Sequence, residues 1–387
     1  MNVYIRIKPP TSFIEKTTFV EKNEKIVTLV QKKYDVRQKP VLNKHDFRFS
    51  RIFDIDYMNE DIYNHFGQEL ILNFLSGRNT TFYLYGQTGS GKTHTLLGYN
   101  NEKGILEYAL HNLTKNISNA ISSSCLKMSC YQLYYNKLYD IFSDNNLVNG
   151  YDNGHNQYII PDLQKKNVCK DNFKDLIETI RHFRHVSVSS ENDTSSRSHL
   201  IIEIRFGSNS VLRLIDLAGS EKLKNVRNNE ISENGDINRS ILAWKECIRA
   251  LRNKSKHIPF RGHLLTRILK DSFIENPYTY VLGTISCENR NASDSLNTLK
   301  YMEDITRLKV SQYNNKKFNY RAHSFKKSIN FTNILEYKNR LERIKGQREE
   351  IINNMITRMT TSESRSALVE VLDKEIHILE TMRNKMR

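Results

Sequence analysis

Cysteine is scarce in this chain and badly spaced for chemistry. There are five in 387 residues, at positions 125, 130, 169, 247 and 287. The number is odd, no C-x-x-C pair occurs, and no Cys/His cluster has zinc spacing, so reduced, buried thiols are expected rather than a disulfide framework or a zinc site. The twelve histidines contain no H-E-x-x-H pattern, which argues against a zinc hydrolase. No apolar run nears the roughly 18 residues a membrane span needs; the stretch from Leu70 to Leu75 is interrupted by Asn73. The first ten residues lack the apolar core of a signal peptide and carry Arg6 and Lys8, which disfavours secretion. Acidic residues are outnumbered, 43 against 59 Lys and Arg, leaving a formal charge of +16. Such an excess predicts a polyanionic partner: nucleic acid, an anionic membrane face or an acidic protein surface. Internal repeats are absent.

Hydrophobic residues make up 38% of the chain, enough for a sizeable core. At roughly 100–200 residues per domain, the length fits two domains, or one large α/β domain with an appendage. Strand-like and helix-like segments alternate as far as Lys309, the pattern of a layered α/β domain. Val3 to Ile7 predicts an opening strand stopped by Pro9-Pro10. Thr80 to Tyr85 predicts a strand running into Gly86. Helical spacing appears over Phe173 to Phe183 (Phe173, Leu176, Ile177, Ile180) and over Ile237 to Leu251 (Ile241, Trp244, Ile248, Leu251). Leu200 to Phe206 and Val211 to Leu217 are joined by Gly207-Ser208-Asn209-Ser210 and predict a hairpin. We expect a main domain over 1–310, a basic linker over 311–333 and a helical extension over 334–387. The extension holds two amphipathic segments. They are as suited to packing on each other or on the main domain as to forming a homodimer.

Three segments carry chemistry. Gly86-Gln87-Thr88-Gly89-Ser90-Gly91-Lys92-Thr93 matches G-x-x-x-x-G-K-[ST], a loop whose glycines let backbone N–H groups point at phosphate oxygens. Lys92 would reach the β/γ-phosphates and the Thr93 hydroxyl would coordinate Mg²⁺. The pattern follows a strand and precedes a helix, as that mechanism demands. Mg²⁺ also needs a carboxylate, and Asp216 ends the apolar strand just before Leu217-Ala218-Gly219. The third segment, Asn192-Asp193-Thr194-Ser195-Ser196-Arg197-Ser198-His199, offers hydroxyls and an Arg that could organise water and the terminal phosphate.

Together these strings resemble the kinesin superfamily, whose motor heads carry GQTxSGKT, NxxSSRSH and DLAGSE in this order. Further likenesses run through residues 3–308: Arg6-Ile7-Lys8-Pro9 is similar to the adenine-side RxRP element, and His94 follows the phosphate loop as in the family. Asn238-Arg239-Ser240-Ile241 resembles the start of the microtubule-facing helix, and Pro259-Phe260-Arg261 a microtubule loop. The closing helix is matched by Leu296-Asn297-Thr298-Leu299-Lys300-Tyr301. The resemblance implies a P-loop NTPase fold with a central, mostly parallel twisted sheet flanked by helices on both faces. It also implies ATP and Mg²⁺ as cofactors, and microtubules and tubulin as partners. Gly219 would then sense the γ-phosphate through its backbone, Ser195 and Ser196 would belong to the first of two switch segments, and Arg197 with Glu221 would latch the two switches and position the attacking water. Arg6, Pro9 and His94 would flank the adenine. Arg239, Lys245, Arg261, Arg267 and Lys270 would face the microtubule.

Leu242 to Leu251, LAWKECIRAL, is similar to a string of the kinesin-13 class, the microtubule-depolymerising internal motors. Asp271-Ser272-Phe273-Ile274 and Lys137-Leu138-Tyr139-Asp140 also resemble that class. Lys33-Tyr34-Asp35 falls near its tubulin-bending loop, with Tyr in place of Val, so Lys33 and Asp35 are candidates for that contact. The class carries a basic neck before the motor, for which the linker over 311–333 would partly substitute. Leu264 stands where the family has a tubulin-facing Lys, and Glu233-Asn234-Gly235-Asp236 departs from E-G-A-x. The leading expectation is an ATP-driven microtubule depolymerase in the cytoplasm, on the microtubule cytoskeleton and the mitotic spindle. A stepping motor is the alternative, although no long coiled coil is visible. A non-catalytic tether would leave Lys92, Thr93, Asp216, Arg197 and Glu221 without a purpose. A nucleic-acid ATPase would explain the charge but not the SSRSH and DLAGSE strings.

Overall fold

A computed structural model describes residues 2–10, 19–34, 40–99, 102–118, 126–154, 157–189, 194–206, 210–221, 231–274 and 278–307. All of them lie in the first of the chain's two units, Met1–Asn315. The linker over 311–333 and the helices expected over 334–387 fall outside the described residues. So do Asp35 and the hairpin turn at 207–209.

A ten-stranded sheet forms the centre. Nine strands follow one another from edge to edge: Asn146–Val148, Lys137–Asp140, Leu126–Tyr134, His199–Phe206, Ser210–Asp216, Thr80–Gly86, Tyr278–Ser286, Asn2–Lys8 and Arg51–Phe53. The tenth, Lys166–Asn167, pairs beside Leu126–Tyr134. From Ser210–Asp216 to Arg51–Phe53 every pairing is parallel. On the other side the sheet continues as an antiparallel arm. The expected hairpin strands pair in register, Phe206 against Ser210 and Leu200 against Asp216.

Alternation along the central strand Thr80–Gly86 explains why both faces are covered. Tyr83 and Tyr85 enter one hydrophobic cluster with Trp244, Ile248 and Met302. Phe82 and Leu84 enter the opposite cluster with Phe66, Leu70, Ile177 and Ile180. Successive side chains of a strand point to opposite faces, so an uninterrupted apolar run needs helices on both. On the first face lie Ile231–Arg252 and Ala292–Thr306; on the second lie Asn59–Leu75, Ile105–Ser118 and Phe173–Ser189. The sequence pattern anticipates the last of these but ends it at Phe183, and it starts the long helix at Ile237 rather than Ile231. A smaller three-stranded sheet is built from Phe19–Lys22, Ile26–Tyr34 and Pro40–Arg48.

Cys130, Cys247 and Cys287 are buried and Cys169 is half-buried, all as thiols. Among the described residues no helix is long and apolar enough to cross a membrane.

The parallel block matters most for function. Its strands run in one direction, so Asp216, Gly86, Ser286 and Lys8 all arrive at one end of the sheet. In open α/β sheets, crevices form outside the carboxyl ends of such strands.

Candidate nucleotide site

At that end of the sheet a cleft of about 690 Å³ opens. Its lining includes Arg6, Lys8, Pro9 and His94 at one end and Lys92, Thr93, Ser196 and Asp216 at the other. Three strings far apart in the chain therefore share one cavity.

The loop is shaped by its glycines, for two different reasons. Gly89 and Gly91 have φ of 73° and 96°, in a region that residues with a Cβ rarely adopt. Space is not the issue there, since an added Cβ would meet nothing within 4 Å. At Gly86 it is the issue, because a Cβ would come within 2.2 Å of the Thr284 carbonyl oxygen. The buried Lys92 folds across this loop, donating from Nζ to the carbonyls of Gly86 and Gln87 at 2.9 Å each. Burial lowers its pKa against the pull of Asp216 and Glu221.

Thr93 and Asp216 meet as the sequence predicts: Thr93 Oγ1 donates to Asp216 Oδ2 at 2.5 Å. The other carboxylate oxygen, Oδ1, is buried with no hydrogen-bond partner. A buried, unsatisfied carboxylate oxygen is costly. A hydroxyl and an acceptor of this kind at the floor of a phosphate loop suit a hydrated Mg²⁺, so the residues present fit the implied metal.

The group beside it belongs to none of the three motifs. Arg184 is buried, its Nη2 lies 3.2 Å from Asp216 Oδ2, and its Nη1 donates to Ser198 Oγ at 2.9 Å. A signal was present. Arg184 continues the stripe Phe173, Ile177, Ile180 at helical spacing, and a charge at a core position of an amphipathic helix requires a buried partner.

Of the residues expected near the γ-phosphate, Ser196 lines the cleft and its carbonyl accepts the Gly219 N–H at 2.9 Å. Gly219 has no room for a side chain: a Cβ would approach Thr88 Oγ1 to 2.4 Å and Glu221 Oε1 to 2.5 Å. Glu221 is engaged by the phosphate loop, accepting from the Thr88 amide at 2.8 Å and also from the Thr88 hydroxyl. That contact differs from the expected latch onto Arg197. The two acceptor oxygens are held by the neighbouring loop because Thr88 offers two donors at bonding distance. Arg197 ends the short helix Thr194–Arg197 and is half-buried. Ser195 lies in the same helix, its side chain outside the description.

At the opposite end, Arg6 lines the cleft and is held in a buried polar network. Its Nη1 donates to Asn59 Oδ1 at 2.5 Å and to Thr95 Oγ1 at 2.6 Å. Burial lowers its pKa, with Glu102 opposing. His94 Nε2 lies 3.2 Å from Glu102 Oε2. Burial, and then Arg6, lower the His94 pKa against that carboxylate, which favours a neutral ring. Lys8 donates to the Gly89 carbonyl at 2.8 Å, bracing the phosphate loop from the first strand. Asn59 and Glu102 carry no motif, and nothing in the sequence singles them out.

The residues expected on the microtubule face divide. Arg239, Arg261 and Arg267 line a second cavity of about 420 Å³, joined by Lys137, which the resemblance does not place on that face. Arg239 and Arg261 are exposed. Arg267 donates to Asp152 Oδ2 at 3.0 Å and stacks over Tyr158. Lys245 is not with them. It is half-buried, its ammonium 5.6 Å from the Tyr85 ring centre and 5.0 Å from that of Tyr301, a cation–π position set by two core aromatics. Lys270 is half-buried. Lys33 lies in the strand Ile26–Tyr34 with its side chain outside the description, as is Asp35 entirely.

Comparison with known proteins agrees with this geometry. A model of the kinesin motor domain matches residues 6–308. Kinesin-like protein KIN-13B of Arabidopsis thaliana is 33% identical over 307 residues, covering 75% of this chain and 44% of that protein. Kinesin-like protein KIF24 of Homo sapiens is 32% identical over 292 residues, covering 72% of this chain and 21% of that protein. The chain thus spans less than half the length of these relatives. The solved structure "Structure of a fast kinesin: Implications for ATPase mechanism and interactions with microtubules" matches at a TM-score of 0.70. At 23% identity it covers 84% of this chain and 98% of the other, and bears on the fold alone.

Proposed function

This chain belongs to the kinesin motor family, and we propose that it is an ATP-hydrolysing motor that acts on microtubules, shortening them from their ends. One observation carries the ATPase reading: Thr93 and Asp216 join at the floor of a cleft whose walls are the phosphate loop and Ser196, with Asp216 Oδ1 left open. In this reading ATP lies along the cleft, base near Pro9 and His94, phosphates in the loop. Lys92 releases the carbonyls of Gly86 and Gln87 and takes phosphate oxygens in their place. Thr93 and Asp216 would hold the metal, while Arg184 orients the aspartate. Bound there, Mg²⁺ would supply charge neutralisation for the transferred phosphoryl group. In this reading Glu221 leaves Thr88 and pairs with Arg197 when the terminal phosphate takes the Gly219 N–H from the Ser196 carbonyl, positioning the attacking water. Rate enhancement then comes from placement and charge stabilisation, without a covalent intermediate.

The microtubule partner is supported by family membership and by the +16 charge, which an acidic filament would attract at low salt. The exposed Arg239 and Arg261 beside Lys137 form the surface we assign to it. Shortening, rather than stepping, is supported by the kinesin-13-like string over Leu242–Leu251 and by the relative named KIN-13B. The same reading puts the protein on the cytoplasmic microtubule cytoskeleton. ATP turnover measured alone, with free tubulin and with stabilised microtubules, while filament length is imaged, tests it. Stimulation by tubulin or ends with shortening is expected; gliding at constant length would replace the depolymerase with a stepping motor. Nucleotide binding without turnover would leave only a tether.

A further inference from the structure

One buried side chain has no task in that scheme. His199 opens the strand His199–Phe206 and is 3% exposed. Its ring is fastened on both sides. Nδ1 accepts the backbone N–H of Ala218 at 3.0 Å, and Nε2 lies 2.8 Å from Ser240 Oγ. A ring nitrogen that accepts an amide proton carries none itself, so the neutral ring holds its proton on Nε2 and donates it to Ser240.

The three segments it joins belong to different parts of the machine. Ala218 follows Asp216 and Leu217, which line the nucleotide cleft, and precedes Gly219. Ser240 is buried in the helix Ile231–Arg252, and the preceding residue, Arg239, is exposed and lines the basic cavity. The histidine itself is anchored in the sheet, next to Leu200, which pairs with Asp216. A buried histidine with both nitrogens satisfied is often only a core residue. Here its two partners lie one residue from the Gly219 turn and one residue from the basic face.

We infer that His199 is a positioning residue that ties the 216–219 turn to the helix Ile231–Arg252, so that occupation of the cleft is transmitted to Arg239 and the cavity around it. This rests on the reading of the cleft as a nucleotide site. Movement of the turn carries the Ala218 amide, the ring follows because its hydrogen bond is directional, and Ser240 moves with the ring.

Trp244, the only tryptophan in the chain, allows a test that needs no microtubules. It lies one helical turn beyond Ser240, with ring centres 5.7, 5.6 and 5.4 Å from Tyr83, Tyr85 and Tyr301, so its emission reports the seating of the helix. Ser240→Ala removes the helix-side partner. His199→Asn keeps an acceptor for the Ala218 N–H and loses the reach to Ser240. Nucleotide affinity is measured with a fluorescent ATP analogue, and Trp244 emission is followed separately on addition of unlabelled Mg-ATP. Both variants should bind within about two-fold of the parent, while the emission change falls about five-fold or more, the lower end of ordinary coupling. The double variant should lose no more than either single one, because both break the same link. Ser240→Thr, which restores the hydroxyl, should recover the response. Unaltered emission changes in nucleotide-bound Ser240→Ala and His199→Asn would overturn the inference alone, as would a parent that binds nucleotide without any change at Trp244. A parent that binds no nucleotide would overturn the reading of the cleft, and this inference with it.

Discussion

Charge is handled in opposite ways in the two cavities. Around the cleft it is buried and paired: Arg184 against Asp216, Arg6 against Asn59 and Thr95, Lys92 across two carbonyls. Around the basic cavity, Arg239 and Arg261 stand exposed, and Arg267 is held by Asp152 and Tyr158. Buried charges lose their hydration and must be met by fixed partners, so the cleft is rigidly specified. Exposed charges keep their water and act through a screened field, so the basic face tolerates variation in which residue carries each charge. A chemical step needs atoms placed to fractions of an ångström, whereas a filament surface needs mainly a complementary field.

The comparison makes predictions of graded size. Arg184→Met strips the buried Asp216 of its cation and should cost about 3–5 kcal/mol of folding stability, read by chemical denaturation; a loss below about 1 kcal/mol, the level of an exposed pair, would mean the cleft is not built on buried pairing. Asp216→Asn should lower ATP turnover by about 10² to 10³-fold, and chelating Mg²⁺ from the parent protein should produce a comparable fall in a steady-state assay. For Gly219→Ala, the missing space against Thr88 and Glu221 predicts an overpacking cost of about 1–3 kcal/mol, visible as a lowered melting temperature. The smallest effects belong to the basic face. Arg239→Ala and Arg261→Ala should each weaken microtubule binding by about 0.2–1 kcal/mol, and co-sedimentation at rising salt should erase the difference. A salt-insensitive deficit would place them among the closely packed contacts.

The same contrast governs how much of each site could be found beforehand. The phosphate loop was legible because one contiguous stretch supplies both its shape and its ligands. Asp216 was legible because a carboxylate ending an apolar strand accompanies a phosphate loop whose Mg²⁺ needs one; alone it would read as a turn. Arg184 was half legible, a charge on an apolar helical stripe whose partner only the folded chain identifies. Asn59 and Glu102 were not legible at all, since their function is to receive Arg6 and His94 from other elements. On the basic face, composition announced an excess of cations without saying which ones gather. Arg239, Arg261 and Arg267 come together, Lys137 joins them from the antiparallel arm, and Lys245 turns toward Tyr85 and Tyr301.

By itself, then, the sequence determined the α/β character, the family and the phosphate loop, because local backbone geometry and side-chain periodicity are written in neighbouring residues. Tertiary structure decided which charges are buried against one another, where Glu221 is held, and how His199 spans from Ala218 to Ser240. Each of those depends on distances between segments that meet only when the sheet has brought its strand ends to one side, and no spacing along the chain encodes such distances.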